Sequence, residues 1–166
     1  MSIVIRRLDA VAVPRLADIL EATVTAGGSV HFMDPVPPGG AAAYWSGAVA
    51  DPGRIVLGAF VGERLEGTVT LWLDTPPNQP FRGEIWKLMV HPDARGQGLA
   101  RALMGEAERL AVSRGRTLLN LDTATEGGAS ELYESLGWTR AGVIPDYAFK
   151  PQGGLVGTAI YYKALG

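Results

Sequence analysis

The sequence contains no cysteine and only two histidines. The first absence excludes disulfides, a thiol nucleophile and thiolate-bound metals. The second leaves no histidine-rich metal centre, and no metal is expected. Cations are not in excess either: 15 lysines and arginines stand against 17 acidic residues, a formal charge of −2. A nucleic-acid-binding surface, which usually needs a net basic face, is therefore not expected. No apolar run approaches the roughly 18–20 residues that a membrane span requires. Arg6 and Arg7 follow the short apolar run Ile3-Val4-Ile5, which does not fit a secretory signal. These absences predict a cytoplasmic domain that partners neither membrane nor nucleic acid.

What is present suits one well-filled domain over residues 1–166, with 47% hydrophobic residues and no low-complexity tract. Ile3-Val4-Ile5 predicts a strand. Leu16, Ile19, Leu20 and Val24 lie at helical spacing and stop at Gly27-Gly28. The prolines at 35, 37 and 38 make residues 30–40 a loop, and residues 41–49 a second helix. Residues 55–60 and 65–73 predict a hairpin about Gly62-Glu63-Arg64, and residues 83–90 a third strand of that group. A helix follows from Leu99 to Gly115. The apolar run 117–121 predicts a strand buried on both faces. A short helix over 128–136, a strand over 138–144, a further loop framed by Pro145 and residues 151–154, and a last strand over 155–163 complete a mixed α/β order.

The chemistry concentrates in Leu88-Met89-Val90-His91-Pro92-Asp93-Ala94-Arg95-Gly96-Gln97-Gly98-Leu99-Ala100. Strand, glycine loop and helix start, in that order, make an anion site, because free backbone N–H groups converge where the helix dipole is positive. Pyrophosphate is the anion that fits such a loop. A simple tight turn is the plainer alternative. A dinucleotide fingerprint is not complete, since Gly96 and Gly98 are followed by Arg101, and a Gly-Lys-Ser/Thr phosphate loop is absent.

Arg95-Gly96-Gln97-Gly98-Leu99-Ala100 resembles the Q/R-x-x-G-x-G/A motif of the GNAT superfamily of N-acetyltransferases. Val90-His91-Pro92 before it, Leu132-Tyr133-Glu134-Ser135-Leu136-Gly137-Trp138 after it and the order of elements resemble the same superfamily. Asp122-Thr123, Ile144-Pro145-Asp146-Tyr147 and Tyr161-Tyr162-Lys163 resemble, more narrowly, its tabtoxin-resistance type. The implied fold is a mixed, mostly antiparallel sheet of six or seven strands, splayed centrally and flanked by about four helices.

The resemblance implies acetyl-CoA as donor. Backbone groups of Arg95, Gly96, Gln97, Gly98, Leu99 and Ala100 would cradle the pyrophosphate, with Arg95 and Arg101 as candidate phosphate partners. Leu88, Met89 and Val90 would bind the pantetheine arm through their backbone, and the N–H of Met89 or Val90 would polarise the thioester carbonyl. An amine must be neutral to attack, and Glu84 and Asp122 are the candidate bases, acting directly or through water. Tyr133 is the candidate acid for the departing thiolate. His91 titrates near the loop but precedes Pro92, where a turn role competes. Many relatives carry an asparagine at the start of the Tyr133 helix, whereas this chain has Glu126-Gly127-Gly128.

The expected reaction is direct attack by a primary amine of a small molecule, with no covalent enzyme intermediate. Phe32, Tyr44, Trp45, Trp72, Trp86, Tyr147 and Phe149 are possible walls for this acceptor, or core residues. Asp34 and Asp146 are possible partners for a cationic amine. An acyl-CoA-binding module without turnover is the alternative function. A homodimer is left open.

Overall fold

The computed structural model describes residues 2–166. Seven strands and four α-helices alternate with two 3-10 turns. The strands are β1 (Ile3–Arg7), β2 (Arg54–Val61), β3 (Arg64–Trp72), β4 (Arg82–Val90), β5 (Leu118–Ala124), β6 (Thr139–Phe149) and β7 (Leu155–Ala164). The helices are α1 (Val13–Thr25), α2 (Gly40–Ala50), α3 (Leu99–Ser113) and α4 (Ala129–Ser135). They build one sheet in the order β1-β2-β3-β4-β5-β7-β6. Every neighbouring pair is antiparallel except β4 and β5. This is the mixed, mostly antiparallel sheet the resemblance implies.

Helices cover both faces. On one face α3 lays Leu99, Leu103, Met104, Ala107 and Ala111 against Leu57, Val69, Leu71, Leu119 and Tyr161. On the other, α1 and α2 bury Leu16, Ile19, Leu20, Val24, Ala41, Trp45 and Ala48. The spacing of Ala41, Trp45 and Ala48 is one stripe of a helix, and its small residues let α2 sit close to α1. Burying each large apolar side chain contributes roughly 1.5–3 kcal/mol, so the two layers hold the sheet from either side.

The parallel seam is short. β4 and β5 pair only from Arg82↔Leu118 to Glu84↔Asn120, and beyond that point they diverge. On its other edge β4 stays paired with β3 up to Gly67↔Val90, but the register slips between Thr68 and Thr70. Thr70 faces Trp86 and Thr68 faces Met89, so Lys87 and Leu88 together oppose Val69. This is a β-bulge, with Lys87 in the left-handed region at φ 54°. The bulge reverses the alternation of β4: Ile85 joins the α3 layer, whereas Met89 joins the α1–α2 layer.

Three expectations need correction. The run 117–121 is not buried on both faces: Leu119 and Leu121 are buried while Asn120 is half-buried and Asp122 exposed, because the strands part there and leave one face open. Residues 145–149 are not a loop but the second half of β6, which continues past an irregularity between Ile144 and Ala148. The hairpin turn is Gly62-Glu63 alone, since Arg64 already pairs with Val61.

Candidate active site

The divergence of β4 from β5 opens a cleft through the sheet. Its donor end has a volume of about 630 Å³ and is bordered by Leu88, Met89 and Val90 of β4, by the loop before α3, and by Tyr133. Arg95, Gly96, Gly98, Leu99, Ala100 and Arg101 all border it, whereas Gln97 points outward and is exposed. A middle chamber of about 120 Å³ lies between Trp86, Lys87 and Leu88 on one side and Leu121, Asp122 and Tyr133 on the other. An outer chamber of about 330 Å³ follows, between His31, Phe32 and Met33 and the strand residues Asp122, Tyr147 and Phe149. Leu88 and Tyr133 line the first two; His31 and Asp122 line the last two.

Backbone makes the donor end. Gly96 and Gly98 have φ 76° and 85°, and a Cβ added at either would meet no protein atom within 4 Å. Glycine is required there by the left-handed backbone, and the space in front of it is open for a ligand. Gly98 is the N-cap of α3 and has no side chain to satisfy the first N–H groups, which are left for an anion. Arg101 borders the cleft while its Nη2 donates to Ser135 Oγ at 2.9 Å. Beyond Glu84 the β5-side edge of β4 has no partner strand, so its N–H and C=O groups can pair with an extended ligand arm. The residues present therefore fit a long ligand with a pyrophosphate in its middle. His91 instead serves its turn: its Nδ1 accepts the Asp93 N–H at 3.2 Å.

Side chains make the rest. Tyr133 is buried among Trp138 and Tyr161, with ring centroids at 6.1 Å and 5.8 Å. Burial pushes its phenol well above the ordinary value, and the charge of Asp122 adds to this. The phenol therefore keeps its proton at neutral pH and can donate it in a hydrogen bond. Asp122 is exposed to the cleft and accepts from Thr158 Oγ1 at 3.0 Å. Glu84 and Asp122 lie on the same face of the sheet, since Glu84 pairs with Asn120, two residues before Asp122. Glu84 does not border the chambers, however. Its Oε1 accepts from Arg82 and its Oε2 from the Trp86 indole, both at 2.7 Å, and Arg82 also donates to Asn120. The expected pair of bases is thus one open carboxylate and one that is doubly engaged.

The aromatic residues divide similarly. Phe32, Tyr147 and Phe149 wall the outer chamber and Trp86 the middle one, while Trp45 is fully buried core. Trp72 stacks on Trp86 at 5.1 Å, which braces that wall from behind. Tyr44 sits edge-on between Phe32 and Trp45. Asp34 is bound by Gln152 Nε2 at 3.1 Å, and neither it nor Asp146 borders a chamber.

Two residues of the middle chamber escape sequence reasoning, Lys87 and His31. Lys87 Nζ lies 2.8 Å from His31 Nδ1 and 5.2 Å from the Tyr44 ring centroid. Burial, opposed by the charge of Asp122 and aided by that of Arg54, lowers the Lys87 ammonium to about 8. His31 is open to solvent on one side, yet desolvation and then the Lys87 charge lower it below its usual value. Its backbone is also left-handed, at φ 73°. Two strained non-glycine residues, at on the order of 1–3 kcal/mol each, thus meet in one hydrogen bond. The available signal was a lone lysine interrupting the apolar run Ile85 to Val90. Among the described residues, no group of three or more His, Asp or Glu is placed to hold a metal ion, and no helix is long and apolar enough to cross a membrane.

The comparisons agree with this geometry. N-acetyltransferase 8B of Rattus norvegicus is 35% identical over 96 residues, 57% of this chain and 43% of that protein. An uncharacterised N-acetyltransferase of Methanocaldococcus jannaschii is 39% identical over 62 residues, 37% of this chain and 27% of that protein. The chain thus matches less than half the length of either relative. Among solved structures, an N-acetyltransferase from Staphylococcus aureus superposes with a TM-score of 0.85 at 18% identity, covering 100% of both chains. A phosphinothricin acetyltransferase from Sinorhizobium meliloti, solved in complex with acetyl-CoA, superposes at 0.80 with 22% identity, covering 100% of this chain and 90% of the other. At such identities the likeness speaks for the fold. The model of the acetyltransferase (GNAT) family matches residues 16–138, a span that runs from α1 through the bulged strand, the glycine loop and Tyr133. The chain belongs to that family, the acetyltransferase (GNAT) family.

Proposed function

We propose that this enzyme transfers the acetyl group of acetyl-CoA to the primary amine of a small molecule by direct attack, within a single domain over residues 1–166. The observation that carries the reading is the bulged, half-unpaired β4 running straight into the N-terminus of α3, with Tyr133 opposite. The pyrophosphate rests on the backbone of Arg95, Gly96, Gln97, Gly98, Leu99 and Ala100, with Arg101 beside it. The pantetheine arm pairs with Leu88, Met89 and Val90. A backbone N–H of Met89 or Val90 polarises the thioester carbonyl as a preorganised dipole.

The amine enters from the outer chamber, where Asp122 holds its ammonium form and accepts its proton, directly or through water. Glu84 supports this from one step further along the sheet, with both its oxygens engaged by Arg82 and the Trp86 indole. Tyr133 holds its proton until sulfur leaves, and then donates to the thiolate. The narrower likeness to the tabtoxin-resistance type supports a small, amino-acid-sized acceptor, which suits an outer chamber of about 330 Å³.

The test pairs a CoA-thiol release assay over a panel of small amines with calorimetry of acetyl-CoA binding. Release with at least one amine is the expected result. Tight binding with no release from any amine supports the binding-module alternative, and no binding at all overturns the site.

A further inference from the structure

The chain carries an amine of its own inside the cavity where an amine is to be acetylated. The β4 bulge takes Lys87 out of the strand's alternation and sends its side chain into the middle chamber, opposite Asp122 and Tyr133. Leu88, the next residue, borders both that chamber and the donor cleft. The chain has three lysines, and the other two are engaged elsewhere: Lys150 with Glu126 at 3.3 Å, Lys163 with Glu108 at 2.9 Å. Lys87 alone faces a neutral partner, the His31 ring, with no carboxylate in salt-bridge contact.

We propose that Lys87 is itself an acetyl acceptor, and that the enzyme acetylates this side chain when no amine substrate fills the chamber. The proposal rests on the reading that acetyl-CoA occupies the donor cleft. The lone pair of neutral Nζ attacks the thioester carbonyl carbon, the C–N bond forms and the C–S bond breaks. Sulfur leaves with the bonding electrons as the CoA thiolate and takes up the proton that the nitrogen sheds. The products are an Nε-acetyl-lysine and CoA thiol, so no further reactant is needed.

The surroundings favour this lysine over an ordinary one. The groups facing it are His31 from the loop before α2, Tyr44 from α2, Arg54 from β2, Asp122 from β5 and Tyr133 from α4. Together with burial they leave the ammonium at about 8, so a useful fraction is neutral near physiological pH, where an exposed lysine is almost wholly charged. The product is an amide and does not pass its acetyl group on. It removes the cation beside Tyr44, releases His31 and fills part of a chamber of only about 120 Å³. Acetylated Lys87 is therefore a brake on turnover, and a bound acceptor protects against it.

The experiment incubates the full chain with acetyl-CoA and no acceptor, then reads intact mass and maps the modified peptide. The expected result is one acetyl group per chain, on Lys87. Labelling should saturate with acetyl-CoA, fall at least tenfold in excess CoA, and rise with pH to a plateau above about 8. Lys87→Arg should lose the label while acetyl-CoA binding by calorimetry is retained. The CoA-protection arm uses the unaltered protein, so the test does not depend on the variant folding. An unlabelled Lys87 in a protein that acetylates an added amine overturns this proposal and leaves the donor site standing. Labelling that CoA does not block, or that spreads equally over Lys150 and Lys163, is bulk chemistry and also overturns it. Failure to bind acetyl-CoA at all removes both.

Discussion

The two ends of the cleft are built from different parts of the polypeptide. The end proposed for the donor is lined by backbone: a bulged strand edge, two left-handed glycines and the first turn of a long helix. The end proposed for the acceptor is lined by side chains brought in from a loop before α2, from β5 and from β6: His31, Phe32, Asp122, Tyr147 and Phe149. Backbone geometry is insensitive to most substitutions, because any residue that keeps the fold keeps the N–H groups in place. Side-chain geometry changes with every substitution. A fold made this way can hold one donor and change acceptors. Lys87 and Tyr133 stand where the two ends meet.

If that division is right, substitutions should separate donor binding from turnover and from acceptor preference. The largest effect is expected at the junction. Tyr133→Phe should lower kcat by about 10²-fold or more while the acetyl-CoA Kd from calorimetry stays within a factor of three. An equal loss in both would make Tyr133 part of the donor cradle and erase the distinction. Next comes the donor end itself. Gly98→Val forces a β-branched residue to φ 85°, and strain of roughly 1–3 kcal/mol should weaken acetyl-CoA binding by about tenfold. The KM for the amine should move much less, as steady-state kinetics at saturating donor will show.

At the acceptor end, Phe149→Ala removes a ring that is 63% exposed, so roughly 1 kcal/mol of contact is at stake. The KM for the amine should rise about fivefold with acetyl-CoA binding unchanged; a shift in donor affinity would mean that the ends are coupled. The last effect concerns stability rather than kinetics. Burial disfavours the Lys87 ammonium, lowering it from 10.5 to about 8 in the folded chain. Between those values the unfolded state binds the extra proton, so the native state gains stability as pH rises through that window. Lys87→Met should therefore raise Tm at neutral pH, and the advantage should shrink above about pH 8, read by thermal melts across a pH series.

Legibility in the sequence follows the same division. The glycine loop was readable because its requirements are steric. A left-handed turn before a helix needs Gly96 and Gly98, and a strand of apolar residues must precede them. The element order was readable for a similar reason: helical and strand periodicities in this chain are strong and the glycine and proline stops are clear. What could not be read is the phase change in β4. A bulge occupied by lysine rather than glycine leaves only a faint signature, the lone charge in the run Ile85 to Val90, and that charge does not say that Lys87 leaves the strand's alternation. Alternation then misplaces every contact downstream. The double engagement of Glu84 by Arg82 and Trp86 depends on side chains two residues away on either side along one strand. This is a contact available to many sequences and used by few. β5 was read as doubly buried because its apolar run continues where its partner strand does not.

The position of β7 carries one more consequence, for the order in which the molecule comes into being. It follows the other six strands in the sequence, yet it lies inside the sheet, between β5 and β6. Its Tyr161 packs against the Tyr133 ring and donates to Glu134 Oε1 at 2.9 Å. α4 has only 7 residues, too few to persist without packing. On the ribosome, β1 to α4 can assemble while the remainder is still being made, but Tyr133 then has only the Trp138 side of its packing and lacks Tyr161 until β7 arrives. Full packing of the Tyr133 ring is therefore a property of the completed sheet.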